Sequence, residues 1–418
     1  MRMRVLLSTI GSRGDVQPVV ALASRLRSLG EEVRVCAPPD FREWIDGLGI
    51  PVVPLGPELR GTAAPEPAAG RSLPSPEDLR RQVEETVAAQ FATVGRAARG
   101  CDVLVACGAL QVAARSVAET LEIPYVHASY CPVTLPSPHH APPPMPGLVP
   151  PDGADDAALW ELDAQRWNAV FGAALNAHRA SAGLEPVTDV RGHVFTDRPW
   201  LAADPVLGPW PGSADLDVVQ TGAWILPDPR PLPDDLEAFL DAGDPPVYFG
   251  LGSMPAPGDI GRVMVQTARE LGRRAVVSRG WAGLSPVDGG PDCFSVGEVN
   301  QQALFRRVAA VVHHGGAGTT TAAARAGAPQ VVIPQVYDQP YWARRVADLG
   351  IGAAHAPGPP TVDSLAAVLA RALEPGATAK ARAVAAQVRT DGADAAARLL
   401  AALERVPEDH VDRIRRPR

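Results

Sequence analysis

The sequence predicts an α/β protein of two doubly wound, Rossmann-like halves, each a parallel sheet flanked by helices. Three observations carry this. Short apolar runs alternate with helical apolar spacing from the N-terminus onward, which is the pattern of βαβ units. The alternation lapses in a Pro- and Gly-bearing stretch at 204–220 and resumes at residue 247. The 418 residues suit two or three domains at roughly 100–200 residues each.

Each element of the first half follows from its own residues. Residues 4–10 form an apolar run that reads as a strand, and 16–29 carry helical spacing. Strand 32–37, a short helix at 42–48 and strand 51–55 follow. Residues 57–76 are rich in Pro, Gly, Ala and Ser, lack periodicity, and read as a mobile loop. A long helix at 77–98, strand 102–107, helix 109–121 and strand 125–128 continue the series. The Pro-dense stretch 132–151 is read as irregular. It falls where the strand ends should form a crevice, so it is expected to line a binding cleft. Helical segments fill 155–183.

The second half repeats the logic. Residues 247–252, 275–278, 293–296, 308–312 and 330–333 read as strands, with a helix at 260–271 and others between. An amphipathic helix at 377–404 closes the fold. The chain is thus expected to divide into a first domain at 1–210, a second domain at 211–404 and a disordered charged tail at 405–418. Two such halves imply a cleft between them, with ligands at the carboxyl ends of the strands.

Composition removes several function classes. A net charge of −8 argues against a nucleic-acid binder. No run of 18 apolar residues exists, so no membrane span is expected. The five scattered cysteines form no C-x-x-C and read as reduced thiols of a cytoplasmic protein. The D-x-D at Asp215 and Asp217 lies in the expected linker and is set aside as a metal site, and the adjacent His139 and His140 are weak metal evidence. No G-x-S-x-G elbow, G-K-[ST] loop or G-x-G-x-x-G fingerprint is present at the expected turns.

The chemistry concentrates at four strand ends. After strand 308–312 come His313 and His314, then Gly315, Gly316, Ala317, Gly318, Thr319 and Thr320, and an alanine-rich helix. Strand, glycine turn and helix start offer free N–H groups and a positive helix end to a phosphate. Gly11-Ser-Arg-Gly-Asp15 lies between the first strand and first helix; Asp15 is either a helix cap or a base facing the cleft, and Ser12 either touches phosphate or satisfies the turn. Ser253 follows the first strand of the second half. Arg279, Trp281 and Val299 end neighbouring strands, where a base could stack or be read by backbone; Trp281 is as readily a packing residue. Asp338 and Gln339 offer adjacent acceptors and donors that suit sugar hydroxyls.

His313-His-Gly-Gly-Ala-Gly-Thr319, with Gly11-Ser-Arg-Gly-Asp15, Phe249-Gly-Leu-Gly-Ser253 and Asp338-Gln339, resembles the GT-B-fold glycosyltransferases. Within them the chain is most similar to the actinobacterial enzymes that glycosylate vancomycin-type glycopeptide antibiotics, over nearly its whole length. Tyr130-Cys-Pro132, Gln220-Thr-Gly-Ala-Trp-Ile-Leu-Pro227 and Arg389-Thr-Asp-Gly392 support the likeness. The resemblance implies a C-terminal helix crossing back to the first domain, a monomer, a UDP- or dTDP-sugar donor and a glycopeptide aglycone or partly glycosylated acceptor. It implies inverting transfer with no metal or other cofactor. Carried over by motif, Asp15 would be the base. His313 and the 315–320 turn would hold the diphosphate with Ser12 and Ser253. Arg279, Trp281 and Val299 would border the base, and Asp338 and Gln339 would hold the sugar. Many relatives have a histidine base in the first loop, where this chain has Gly14-Asp15. A nucleotide-sugar epimerase and a non-catalytic nucleotide-sugar-binding accessory protein are the competing expectations.

Overall fold

The computed structural model describes residues 2–63, 75–144, 151, 153–213, 215–256, 259–284 and 289–403. The expected tail at 405–418, most of the 57–76 loop and residues 145–150 of the Pro-dense stretch lie outside the described residues. The first sheet contains seven parallel strands: β1 (Arg4–Thr9), β2 (Glu32–Ala37), β3 (Val52–Pro54), β4 (Val103–Cys107), β5 (Tyr125–Ser129), β6 (Trp200–Leu201) and β7 (Val219–Gln220). Their order is β3-β2-β1-β4-β5-β6-β7. The second sheet holds β8 (Val247–Gly250), β9 (Ala275–Ser278), β10 (Cys293–Val296), β11 (Ala310–His313), β12 (Gln330–Val332) and β13 (Gly352–Ala354), in the order β10-β9-β8-β11-β12-β13. The strand order reverses between β1 and β4 in one sheet and between β8 and β11 in the other. Ligands of open α/β sheets bind at such switch points.

The central strands read as unbroken apolar runs because helices cover both faces. Leu6 and Leu7, consecutive on β1, are both fully buried, yet they enter different clusters on opposite sides of the sheet. In the second sheet Val311 and Val312 divide in the same way. This is the period-2 geometry of a strand with two dry faces.

Several elements differ from the sequence expectation for identifiable reasons. The first helix begins at Arg13, not 16, because Ser12 caps it and Asp15 closes the capping box. A short helical turn, Pro132–Thr134, forms inside the Pro-dense stretch, since proline is well suited to a first helical position. The expected linker contains β7, whose Val219 and Gln220 pair with Trp200 and Leu201. The first sheet therefore extends past residue 210, and we propose the domain boundary after Gln220. The expected 377–404 helix is two helices, Pro375–Ala385 and Gly392–Leu403. Between them Arg389 N–H bonds the Asp204 carboxylate at 2.8 Å. A Cβ on Gly392 would overlap the backbone of Gly222 and Ala223. The last helix then lies on the first: Ala396, Ala397 and Leu400 join the cluster of Val16, Val20 and Leu7, and Arg25 pairs with Asp394.

Candidate active site at the facing switch points

The turn after β11 is built to leave backbone N–H groups free. Gly315 adopts φ +93°, and a Cβ there would lie 2.6 Å from Val332 Cγ1, so only glycine fits. Gly316 occupies the cap position of helix Ala317–Ala326 without any side-chain cap bond. The first N–H groups of that helix have no intrahelical acceptor and point outward with the positive end of the dipole. Gly318 is exposed, and a Cβ on it would meet nothing within 4 Å. Thr319 is half-buried at the same edge. Thr320 differs from expectation. It is 1% exposed, and its hydroxyl donates to Gly316 O at 2.9 Å, so that hydroxyl is not presented to a ligand.

The two histidines divide their work unlike the sequence expectation. His313 is 0% exposed, accepts the Gly315 N–H on Nδ1 at 3.1 Å and contacts Gln330 Oε1 through Nε2 at 2.9 Å. With Nδ1 accepting, Nε2 carries the proton and donates to Gln330. Burial, with His314 beside it, pushes the ring down to about 3, so it is neutral. His313 therefore shapes the turn from within rather than offering charge or a donor to the cleft. The sequence places both histidines beside the phosphate turn but assigns the diphosphate to His313; the structure turns His314 to the glycines instead. Its ring lies between two glycines: a Cβ would come 3.0 Å from its Cε1 at Gly252 and 2.6 Å from its Nε2 at Gly316. Its Nδ1 is buried with no partner among the described residues, and burial pushes the ring down to about 4. The signal is present in the sequence as glycines at both places, but only folding brings residue 252 to residue 314.

Ser253 follows Gly252 in the turn after β8 and is half-buried. Arg279 is exposed at the end of β9, with its guanidinium 2.7 Å from where a Gly297 Cβ would lie. Val299 packs partly buried beneath the turn after β10. The Trp281 ring stacks on Phe41 of the first unit, with centroids 6.1 Å apart and planes at 28°. One face of it is thus covered by protein, which favours the packing reading.

Across the cleft, Asp15 Oδ2 accepts the Ser12 N–H at 2.8 Å and the Ser12 hydroxyl at 3.4 Å. The carboxylate fills the space beside Gly11, whose φ is +152° and whose Cβ, if present, would overlap Asp15 Oδ2. Tyr130 donates its hydroxyl to Asp15 O at 3.0 Å, fixing the start of the helix to β5. Burial outweighs the Ser12 hydrogen bonds and raises Asp15 from 3.8 to about 6.

Asp338 receives the Trp342 indole N–H on Oδ2 at 2.9 Å. Burial raises it to about 6, and the Asp15 charge adds to that rise. The two carboxylates, from opposite units, are therefore within electrostatic reach of each other. Gln339 is buried more deeply than the half-buried Asp338. It is 5% exposed, its Oε1 accepts Gln335 N–H at 2.8 Å, and its Nε2 faces Met254 Sδ at 3.4 Å. It holds the loop that presents Asp338, with Tyr337 at φ +58° between them and the exposed Val336. Asp215 and Asp217 stand apart from this site; Asp217 pairs with Arg198 at 3.1 Å on the surface. Among the described residues no group of three or more His, Cys, Asp or Glu could hold a metal ion, and no helix is long and apolar enough to cross a membrane.

Known proteins match the chain over most of its length. The glycosyltransferase family 28 N-terminal domain matches residues 5–137, and the erythromycin biosynthesis protein CIII-like C-terminal domain matches residues 284–399. Glycosyltransferase GtfE of Amycolatopsis orientalis is 55% identical, with 91% of this chain and 92% of the relative covered. The vancomycin aglycone glucosyltransferase of the same organism is 54% identical with the same coverage, and its dTDP-epi-vancosaminyltransferase is 48% identical. Among solved structures, the glycotransferase of kitacinnamycin superposes with a TM-score of 0.70 over 96% of this chain and 99% of its own, at 20% identity. Glycosyltransferase VinC in complex with dTDP gives 0.67 over 97% and 100%, at 22% identity. These two establish a shared two-domain fold.

Proposed function

The chain belongs to the vancomycin-type glycosyltransferases, and on that premise we propose that it transfers a hexose, with inversion, from a UDP- or dTDP-sugar to a hydroxyl of a glycopeptide aglycone or a partly glycosylated form. The single observation that supports the reading most is the pairing of Asp15 on one unit with the open glycine turn and Asp338 on the other. A base and a leaving-group site from two sheets meet at one cleft. The epimerase and accessory readings lose their ground, because the relatives at 48–55% identity bear transferase names.

The acceptor hydroxyl attacks the anomeric carbon as the carbon–oxygen bond to the diphosphate breaks on the opposite face. The acceptor proton passes to the Asp15 carboxylate. A carboxylate raised to about 6 is still ionised at neutral pH and is more basic than a solvated one. The departing diphosphate gathers negative charge, which the N–H groups at Ala317–Thr319 and the helix dipole meet without reorganising. His314 offers a neutral ring N–H there, and Ser12 and Ser253 add hydroxyls. In this reading His313 is a positioning residue behind the turn. Asp338 takes the sugar hydroxyls and Gln339 holds its loop. Val299 and Arg279 border the nucleotide base. Backbone donors, the helix dipole and His314 stabilise that charge by hydrogen bonding and dipole alignment, so the proposed mechanism assigns no role to a metal.

The test is direct. Incubation with dTDP-glucose or UDP-glucose and vancomycin aglycone should yield a product heavier by one hexose in mass spectrometry. Donor isomerisation with no transfer, or nucleotide binding with no turnover across a donor and acceptor panel, would overturn the reading.

A further inference from the structure

The two units touch at one rim through a chain of stacked groups that the reaction itself does not require. The Arg13 guanidinium lies 3.4 Å over the Trp44 ring and 4.0 Å from the Glu298 carboxylate of the other unit. Trp44 meets Phe41 edge-on at 6.3 Å, and Phe41 stacks on Trp281 at 6.1 Å. The Trp281 backbone N–H then bonds Gly252 O at 2.9 Å, and Gly252 adjoins the His314 ring. At its other end Arg13 is the residue after Ser12, in the capping box that holds Asp15. Every link is a packed ring, a cation–π contact or a backbone hydrogen bond. Arg13 and Glu298 alone would contribute little, since Glu298 is 63% exposed. At this rim the aromatic stack, more than the ion pair, joins the units.

We infer that Arg13, Phe41, Trp44 and Trp281 form a bridge by which the occupied diphosphate turn orders the loop carrying Asp15. The inference rests on the proposed nucleotide site. A nucleotide that fixes the Gly252 turn fixes Trp281. Trp281 restrains Phe41 and Trp44, and Arg13 on Trp44 restrains the helix start at Ser12. A bound donor then adds its restraint to those that Ser12 and Tyr130 already place on the base. Arg13, Phe41 and Trp44 are positioning residues, acting on Asp15 through its loop.

The experiment measures amide hydrogen exchange over residues 11–17 of the full chain, with and without saturating dTDP, and dTDP affinity by calorimetry. In the wild type dTDP should slow exchange there by about fivefold or more, the low end of ordinary coupling between sites. In Phe41→Leu, which keeps apolar bulk in the core, the slowing should fall within about twofold of none at saturating dTDP, as expected when the physical link is cut. Trp281→Leu carries the same test from the other unit should Phe41→Leu fail to fold. Undiminished protection in a folded variant, or no protection in a wild type that binds dTDP, overturns the bridge alone. A wild type that binds neither dTDP nor UDP overturns the nucleotide site and the bridge with it.

Discussion

Replacing Asp15 with asparagine should abolish most activity and at the same time stabilise the protein at neutral pH. The carboxyl is raised from 3.8 to about 6 by burial. At about 1.4 kcal/mol per factor of ten in proton affinity, the ionised form costs the folded state up to about 3 kcal/mol. The carboxyl is only partly buried by surface area, so solvent screening makes that figure a ceiling. The sign follows from proton counting. Between pH 3.8 and about 6 the native state holds the proton that the unfolded state has lost, so stability falls as pH rises through this window. Above it the full cost persists. The substituted amide carries no charge, and its oxygen can still accept the Ser12 N–H, so the capping box is largely kept. Thermal unfolding should therefore place Asp15→Asn above wild type at pH 8 by a few degrees, with the gap closing near pH 4. In turnover the same variant should lose about 100- to 10,000-fold, the range of a positioned general base. Wild-type kcat/KM should fall below about pH 6, where the base is protonated. Unchanged turnover would refute the catalytic role. An unchanged stability difference between pH 4 and pH 8 would refute the burial argument, even if turnover fell.

Other outcomes separate the residues around the turn. His314→Ala should weaken dTDP binding by about tenfold in calorimetry, the effect of one good hydrogen bond near 1.4 kcal/mol, whereas Thr320→Val should leave it nearly unchanged because that hydroxyl already serves Gly316 O. His313→Ala should lower stability by about 1–3 kcal/mol in denaturant titration through the orphaned Gln330 side chain, with nucleotide affinity falling only as the Gly315 turn loosens. Gly11→Ala should reduce turnover strongly and lower the thermal midpoint, since its Cβ displaces the Asp15 carboxylate from the Ser12 cap and alanine is strained at φ +152°; a fully active Gly11→Ala would refute that placement. Trp342→Phe removes the indole donor to Asp338, so Asp338 should rise further, and the midpoint of any stability change tied to it should move to higher pH.

Most of the fold is legible in the sequence because its signals are local. Apolar runs at β1, β4, β8 and β11 are long enough to declare themselves, and each glycine turn follows its strand directly. The short strands are not legible. Val219–Gln220 and Gly352–Ala354 have two and three residues and exist only because a neighbouring strand supplies their hydrogen bonds. The break at 386–391 is hidden for a related reason: alanine-rich residues on both sides read as one helix, and the interruption comes from docking on Asp204 and Gly222.

The sequence by itself determined the alternation of strands and helices, the glycine turn at a helix start and an acidic residue at the start of the first helix. What it left undecided was which side chains are turned outward. His313 and His314 are identical in kind and adjacent, yet successive residues at a strand end point opposite ways, so one is locked on Gln330 and the other faces the glycines of a distant turn. Neighbours in sequence point Gln339, Thr320 and Trp281 toward a ligand, but the tertiary structure gives their polar atoms or ring faces to Gln335, Gly316 and Phe41. Hydrogen-bonding and stacking groups are satisfied by whatever lies within a few ångströms, and that proximity arises only when residues far apart in the chain are folded together.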